Sequence, residues 1–404
     1  MKVLYLHQYF NGPTEPGSTR SYEFAKRWVG EGHEVHVITT DRSTGSSEKK
    51  WRCEDIEGIR VHRINVAYDN SMGFIGRIRA FAKFAVVAGS RAASVGGDVV
   101  FATSTPLTIA IPGIRCARVL DVPFVFEVRD LWPEVPIAMG VLQNPVLKFL
   151  ALRLERYAYA HAASVVALSP GMRDAIVAAG VDRRRVHTIP NACDIDLFSS
   201  GDASRFFRIH PELKDRKLVV YAGTIGKVNG VDYMVRVAKE MSRIDDAVTF
   251  LVVGQGNQGP ELEQQAVDAE VLGNNFYIYP PAPKETMPDL LAACELATSF
   301  VIDNRSLWNN SANKFFDAIA AGRPVAINHQ GWLAEIIEEH DIGLVLPAND
   351  AKRAAIGIAE LIGDRERMSQ MRRKALDTAR IMFDRDKLSS QLADVLESAA
   401  VDRS

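Results

Sequence analysis

One polar run has the residue types of an anion site. Asn313, Lys314 and Asp317 lie in the stretch NSANKFFDAIAAGRPV. Ser311 can cap a helix that ends at Gly322, because serine is favoured at N-caps and glycine just past helix ends. A lysine in the first turn opposes the helix dipole, and free N–H groups at that end bind phosphate. The run therefore predicts either a phosphate site or the solvated polar face of an ordinary helix.

A long loop follows the first predicted strand. Residues 7–20, HQYFNGPTEPGSTR, contain Gly17 and end at Arg20, before a predicted helix. Glycine permits close approach of the backbone, and a helix N-terminus can receive an anion or sugar hydroxyls. The spacing is not GxGxxG, so a nicotinamide-dinucleotide site is not expected. Long loops in compact domains are usually functional, which favours a ligand site over an irregular connection.

Charged residues also follow the hydrophobic strand predicted at 124–127. Glu127, Arg129 and Asp130 stand at its end, close to Trp132. Charged hydrogen-bonding groups beside an aromatic face are typical of sugar sites. Glu127 and Asp130 are therefore candidates to orient a donor sugar or an acceptor hydroxyl. The alternative is an Arg–Asp pair that only closes the loop.

Two glycine-containing loops open the second half of the chain. In YAGTIGKVNG, Gly223 and Lys227 could hold a diphosphate through backbone N–H groups and a cation. The run VVGQG ends in Gly256 and predicts a second loop of this kind. Each loop is a weak signal by itself, because glycine also serves ordinary strand-to-helix turns.

Apolar strand-like runs alternate with helical patterns along most of the chain. This alternation predicts α/β structure with parallel sheets covered by helices on both faces. We predict a Rossmann-like domain over 1–198, a linker at 199–216, a second Rossmann-like domain over 217–385, and a helix within 386–404 that can return to the first domain. Ligands of open sheets bind beyond the carboxyl ends of the strands. Two such domains facing each other would therefore place their loops around one central cleft.

Composition limits the class of protein. Of the 404 residues 47% are hydrophobic, and the formal net charge of -2 argues against a nucleic-acid binder. The four cysteines are far apart and form no CxxC pair, which indicates reduced thiols. Histidines and carboxylates show no metal-binding spacing, so no metal is expected.

The sequence also indicates where in the cell the protein is expected. The start, MKVLYL, has the pattern of a buried strand and is too short for a signal peptide, and no apolar run reaches ~18 residues. We therefore expect a cytoplasmic protein. The segment 74–94 mixes Arg and Lys with Phe and Ile. This pattern fits peripheral contact with the anionic inner membrane, or a half-buried helix with a solvated basic face.

Four motifs carry a family resemblance by their order and spacing. They are GHEVHV at 32–37, RDLWP at 129–133, IPNACDIDLF at 189–198 and NKFFDAIAAGRPV at 313–325. With them the chain resembles the retaining family 4 glycosyltransferases of the GT-B fold over essentially its whole length. It looks most similar to the branch of N-acetyl-fucosamine transferases, which build bacterial surface polysaccharides such as lipopolysaccharide O-antigen.

The resemblance implies a donor site. In the family an E-x7-E motif contacts the donor, and here its positions are Asn309 and Asp317. The second position implies that Asp317 binds the ribose, while the first, which contacts the donor sugar, is the neutral Asn309. Asn313 lies on the same helix face as Asp317 and joins the predicted donor site.

The family also places an Arg and a Lys in the first glycine-rich loop of the second domain. Thr224 and Asn229 stand near those positions, so that pair is absent here. Charge for the diphosphate must then come from Lys227, Arg305 or Lys314. We favour Lys314, because its helix N-terminus adds N–H groups.

The resemblance implies transfer of a sugar from a nucleotide-diphospho-sugar, with UDP favoured over GDP. The sugar is expected to be an N-acetylated hexosamine or deoxyhexosamine, and the acceptor a glycan or a polyprenyl-diphosphate-linked glycan. The donor is a substrate, and no cofactor is implied. Gly17 and Arg20 would lie near the donor sugar and phosphate. Retention of configuration is implied by the resemblance alone, through front-face attack assisted by the leaving phosphate.

Two other functions fit the same sequence. A sugar-nucleotide epimerase can share the two-domain architecture and would convert its donor with no acceptor present. A non-catalytic subunit of a transferase complex is suggested by Asn309 and by the missing Arg/Lys pair. Such a subunit would neither bind nor hydrolyse a nucleotide-sugar.

Overall fold

The alternating apolar runs form two open sheets, each in its own compact unit. The computed structural model describes residues 1–13, 15, 17–41, 51–66 and 74–401. One unit consists of Met1–Pro190 with Asp386–Ser404, and the other of Asn191–Arg385.

The first unit contains an eight-stranded sheet in the order β3-β4-β2-β1-β5-β6-β7-β8. Its strands are β1 Lys2–Leu6, β2 Glu34–Asp41, β3 Trp51–Ile56, β4 Ile59–Asn65, β5 Val99–Thr103, β6 Phe124–Val128, β7 Ser164–Ala167 and β8 Val186–Thr188. All neighbours pair in parallel except β3 and β4. Strand β3 was not predicted, because its apolar residues alternate with charged ones, as in an exposed edge strand. A tight turn at Glu57 and Gly58, both at positive φ, joins it to β4.

Helices cover both faces of this sheet. They are α1 Arg20–Gly30, α2 Phe74–Val95, α3 Ala110–Leu120, α4 Glu134–Ala138, α5 Pro145–His161, α6 Pro170–Ala178 and, from the end of the chain, α16 Arg385–Val401. Trp28 on α1 is fully buried, and its Nε1 donates to the Ser389 carbonyl on α16 at 3.1 Å. Residues of α2, α3, α5 and α6 share one hydrophobic core with β1 and β5.

The second unit contains a six-stranded, fully parallel sheet in the order β11-β10-β9-β12-β13-β14. Its strands are β9 Lys217–Ala222, β10 Val248–Val253, β11 Phe276–Tyr279, β12 Leu296–Ser299, β13 Val325–Ile327 and β14 Gly343–Val345. Its helices are α7 Ile195–Ser199, α8 Ala203–Ile209, α9 Asp232–Met241, α10 Gly259–Asp268, α11 Met287–Ala293, α12 Asn313–Ala320, α13 Trp332–His340, α14 Ala351–Gly363 and α15 Arg365–Met382. Two hydrophobic cores lie in this unit. The prediction of two doubly wound α/β domains is confirmed.

The segment predicted as a linker, 199–216, contains structure. It includes α8, which is capped by the Asp202 side chain and buries Phe206. The Asp202 N–H donates to Asp289 Oδ1 on α11 at 2.8 Å. The helix has seven residues, which is too short for a clear helical period in the sequence.

The polar run that opened the sequence analysis forms α12. Gly322 follows its end at φ +62°, as predicted for a residue just past a helix. The predicted cap is wrong, because the N-cap is Ala312, which has no capping side chain. Ser311 instead accepts a hydrogen bond from the Asn191 N–H at 3.1 Å. A residue 120 positions away decides the role of Ser311, so local sequence could not reveal it.

Candidate functional site

Lys314 lies over the loop that follows β9. Its Nζ donates to the Tyr221 hydroxyl at 2.8 Å and lies 4.2 Å from the centre of the Tyr221 ring. The hydroxyl donates in turn to the Thr224 carbonyl at 2.8 Å. Gly223 approaches the same side chain so closely that an added Cβ would lie 3.3 Å from Lys314 Cε. The first turn of α12 and the β9 loop thus enclose one ammonium group.

This ammonium lacks a counter-charge in the part of the chain that the structure describes. No carboxylate there lies within ion-pair distance of Lys314. Burial lowers the pKa of Lys314 to about 7, because the charged form loses its water. An anion at this position would stabilise the charged form of Lys314. It would also accept hydrogen bonds from the N–H groups at the N-terminus of α12.

Asp317 lies one turn further along α12, in a second polar environment. Burial raises the pKa of Asp317 to about 7, and the charge of Asp194 adds to this effect, while Arg385 and Lys284 oppose it. Arg385 is engaged elsewhere, since its Nε lies 2.8 Å from Asp194 Oδ1. No described side chain donates a hydrogen bond to the Asp317 carboxylate. Ligand hydroxyls could fill that role.

The segment before α12 is anchored at three points. The Asn191 side chain donates to the Ser311 carbonyl, in addition to the backbone bond already described. The Trp332 indole donates to the Asn310 carbonyl at 3.1 Å. Asn309 is half-buried in this segment, and Asn313 is exposed at the first position of α12. The two predicted donor-binding asparagines therefore flank the anchored segment.

Glycine in the paired loops after β9 and β10 serves backbone packing. An added Cβ at Gly254 would lie 1.9 Å from the Gly223 carbonyl oxygen, and one at Gly256 would lie 2.2 Å from that of Ile225. These distances leave no room for a side chain. Gly256, predicted as a donor contact, is thus explained by contact between the two loops.

The other two predicted phosphate cations do not share the surroundings of Lys314. Lys227 is exposed and lines a cavity of about 240 Å³. That cavity is also lined by Glu261 and Asp232, and not by Lys314. Arg305 is exposed, with its guanidinium carbon 5.9 Å from the centre of the Trp308 ring. Of the three predicted cations, Lys314 is therefore the one with described contacts to Tyr221 and Gly223.

In the first unit, Arg20 and Glu127 form a buried ion pair. Arg20 Nη2 lies 2.9 Å from Glu127 Oε1, and both side chains are almost fully buried. Arg20 also donates to the carbonyls of Ile189 and Pro190, at 3.1 and 2.6 Å. The second Glu127 oxygen accepts from the Thr103 hydroxyl. The sequence placed both residues against the substrate. In the structure they bond to each other, to Thr103 and to the chain after β8, which favours a packing role, and their contact with substrate stays a prediction.

Asp130 and Gly17, by contrast, lie in two loops that are joined by a hydrogen bond between their neighbours. Arg129 donates to the Ser18 hydroxyl at 2.9 Å, which joins the loop after β6 to the loop after β1. Asp130 is half-buried and is hydrogen-bonded to Thr105. Burial raises the pKa of Asp130, while Arg129 and Thr105 lower it. Gly17 has φ +120°, and an added Cβ would lie 2.7 Å from Asn11 Nδ2, so glycine is required there.

Several residues of these sites were not predicted. Tyr221 immediately precedes the first glycine loop, and an aromatic at the end of a strand could have been noticed as a platform for a cation. Ser18, Ser104 and Thr105 are small polar residues with no distinguishing pattern. Within the described ranges no group of His, Cys, Asp and Glu is arranged to hold a metal ion.

Two family descriptions match this chain. The "Glycosyl transferase 4-like domain" matches residues 17–192, and "Glycosyl transferases group 1" matches residues 202–378. Together they span most of the chain. The protein therefore belongs to the GT4/GT-B group of glycosyltransferases.

Individual relatives agree with this assignment. Probable glycosyltransferase WbjE of Pseudomonas aeruginosa is 25% identical over 316 residues, which are 77% of this chain and 76% of WbjE. Alpha-D-kanosaminyltransferase of Streptomyces kanamyceticus is 26% identical over 264 residues, which are 63% of this chain and 66% of that protein. Anabaena HepE in complex with UDP-glucose has a TM-score of 0.74 at 19% identity and covers 98% of this chain and 100% of HepE. The fold is GT-B.

Proposed function

We propose that this protein transfers a sugar from a nucleotide-diphospho-sugar to a hydroxyl of a glycan or lipid-linked acceptor. The observation that carries the proposal is Lys314, an ammonium without a described counter-charge, held by Tyr221 and Gly223 beside a helix N-terminus. This combination suits a diphosphate, whose charge would replace the missing partner.

The site suggests a division of roles. Lys314 and the N-terminal N–H groups of α12 bind the diphosphate and stabilise the negative charge that builds up as it leaves. Asp317, one turn away, accepts hydrogen bonds from the ribose hydroxyls. We propose retention of configuration, with the acceptor hydroxyl attacking the face that the diphosphate leaves.

For the donor we propose a UDP-linked N-acetylated hexosamine or deoxyhexosamine. Anabaena HepE, which shares the fold, was solved in complex with UDP-glucose, and this supports UDP. The neutral Asn309 at the position of the family's first glutamate supports a donor sugar that does not need a carboxylate there. We propose that the product belongs to a bacterial surface polysaccharide, which the likeness to WbjE supports.

For the acceptor we propose the loops at the carboxyl ends of β1, β5 and β6. They bring Ser18, Arg129 and Asp130 together with Ser104 and Thr105. Asp130 would orient the acceptor hydroxyl. A polyprenyl-diphosphate-linked glycan is the proposed acceptor class, which implies an enzyme at the cytoplasmic face of the inner membrane.

Calorimetric titration with UDP and UDP-N-acetylglucosamine tests the donor site. Losing a buried charge partner costs about 2 kcal/mol or more, so Lys314→Met should weaken UDP binding at least ~30-fold. Lys227→Met removes a predicted cation that lies elsewhere and should leave the affinity within about twofold. Equal losses in both variants, or a larger loss at Lys227, would contradict the proposed phosphate site.

Turnover tests the reaction itself. Incubation with nucleotide-sugar and lipid-linked acceptor should yield a glycosylated lipid, and NMR of the new anomeric centre would report retention or inversion. Conversion of the donor to an epimer without acceptor would instead indicate an epimerase. Absence of any nucleotide-sugar binding across a UDP and GDP panel would indicate a non-catalytic subunit.

A further inference from the structure

Three helices of the first unit are unusually basic. Together α2, α3 and α5 carry nine Lys or Arg residues and a single acidic residue, Glu155, in a chain whose formal net charge is -2. Glu155 is half-buried and accepts a hydrogen bond from Tyr159, so it is largely withdrawn from the surface. Positive charge is therefore in excess on these helices, and among their described side chains six cations are exposed: Arg79, Lys83, Arg115, Arg118, Arg153 and Arg156.

Large apolar side chains are exposed on the same helices. On α5, Val146, Phe149 and Leu150 are 63%, 57% and 53% exposed, and they recur at helical spacing with Arg153 and Tyr157. The guanidinium of Arg153 lies 5.8 Å from the Phe149 ring centre. Apolar and cationic groups thus alternate along one stripe of α5.

The other two helices show the same pattern with fewer residues. On α3, Ile111 and Val119 are exposed beside Arg115 and Arg118. On α2, Val86 is exposed, and the exposed cations Arg79 and Lys83 precede it by two turns and one turn. Outside these three helices the remaining exposed large apolar residues of the described chain are Val141, Ile209, Ile244, Val267, Ile356, Ile381, Met382 and Val401.

The three stripes belong to one continuous surface. Gly89 of α2 packs against Pro112 of α3, where an added Cβ would lie 2.9 Å from the proline carbonyl oxygen. Arg118 of α3 lies over the Tyr157 ring of α5 at 5.8 Å. The inner sides of all three helices meet in the same core. Their outer sides therefore form one exposed surface, the α2–α3–α5 face.

A fluid anionic surface fits this chemistry. Lys and Arg can extend from an apolar face towards phosphate groups, while Phe, Leu and Val enter the boundary between headgroups and acyl chains. Each of the three helices has exposed cations beside exposed apolar residues, so each can make both kinds of contact. No helix in the described ranges is long and apolar enough to cross a bilayer.

We propose that the α2–α3–α5 face docks this protein onto an anionic phospholipid bilayer, with the helices lying in the interface. The proposal extends the basic segment recognised in the sequence to two further helices, of which α5 has the most exposed apolar residues. It concerns a surface and not the donor site, so it can hold or be overturned whether or not the protein proves to be a glycosyltransferase.

Vesicle flotation without any nucleotide-sugar tests the docking. Wild-type protein should float with vesicles of phosphatidylcholine and phosphatidylglycerol, at least about tenfold more than with phosphatidylcholine alone, and high salt should release it. The double variant Arg153→Glu/Arg156→Glu should lose at least about tenfold in partitioning. Phe149→Ser/Leu150→Ser should also lose binding, even at low salt.

The control variants are Arg373→Glu and Ile381→Ser, which change exposed residues on α15 and should bind like wild type. Thermal melting would verify that each variant is folded. Wild-type protein that stays with the soluble fraction, or α5 variants that float like wild type, would overturn the proposal. Light scattering that shows a dimer lost in Phe149→Ser/Leu150→Ser would assign the face to a second copy and would also overturn it.

Discussion

Donor binding should depend on pH through two groups in the same site. Burial lowers the pKa of Lys314 to about 7 and raises the pKa of Asp317 to about 7 in the protein without donor. A bound diphosphate favours the charged lysine and raises its pKa, while ribose hydroxyls that donate to Asp317 favour the carboxylate and lower its pKa. Affinity should therefore fall on both sides of neutral pH.

The size of each change in donor affinity follows from the pKa of the group that titrates. Above pH ~7 the free protein must take up a proton at Lys314 to bind, so affinity should drop about tenfold per pH unit. At pH ~9 only about 1% of Lys314 would be protonated, which corresponds to a loss of ~100-fold, or about 2.7 kcal/mol. Below pH ~7 binding must release a proton from Asp317, so affinity should drop about tenfold by pH ~6.

The assay is calorimetric titration of UDP-glucose between about pH 6 and pH 9. A nucleotide-sugar suits the experiment better than UDP, because both of its phosphates are diesters whose charge is constant over this range. Repeating each titration in buffers of different ionisation enthalpy counts the protons taken up or released directly.

Two substitutions distinguish the fall in affinity at high pH from the fall at low pH. Lys314→Arg keeps its charge at all these pH values and should remove the fall at high pH. Asp317→Asn cannot ionise and should remove the fall at low pH. A flat wild-type profile, or a fall at high pH that persists in Lys314→Arg, would refute the assignment of Lys314 to the diphosphate.

Two further predictions concern residues that the structure assigns to packing. Glu127→Gln breaks the buried pair with Arg20 and should cost about 3–5 kcal/mol in the free energy of unfolding, measured by urea denaturation; a loss of activity with unchanged stability would return Glu127 to the substrate site. Gly256→Ala should also destabilise, because its methyl group would overlap the Ile225 carbonyl, whereas Gly259→Ala on α10 meets no atom within 4 Å and should be neutral or slightly stabilising. Comparable melting temperatures for both alanine variants would contradict the packing role.

The predictable part of the fold rests on local patterns. Buried parallel strands are continuous apolar runs, so strands such as β5 and β10 could be recognised from their own residues. The helix α12 was likewise visible from four buried apolar positions and a terminal glycine. Where local signals are short or mixed, as in β3 and α8, sequence reasoning missed the element.

Less of the candidate site than of the fold could be predicted from the sequence. Lys314 and Asp317 were selected from one helix, and both have the burial and shifted pKa values expected of ligand groups. Their roles towards a nucleotide-sugar are still predictions. Arg20 and Glu127 looked equally suitable in the sequence, because residue type and position at a strand end do not reveal whether a charge already has a partner.

What the sequence by itself determined was most of the helices and strands, their arrangement in two doubly wound sheets, and the polar residues at the ends of the strands. Tertiary structure alone decided which of those residues are available. Arg20 and Glu127 are 107 positions apart and neutralise each other in the core. Lys314 is 93 positions from Tyr221 and meets a hydroxyl and a ring, but no described carboxylate. A charge remains free for a ligand only when the fold supplies it no counter-charge, and that depends on contacts between distant parts of the chain.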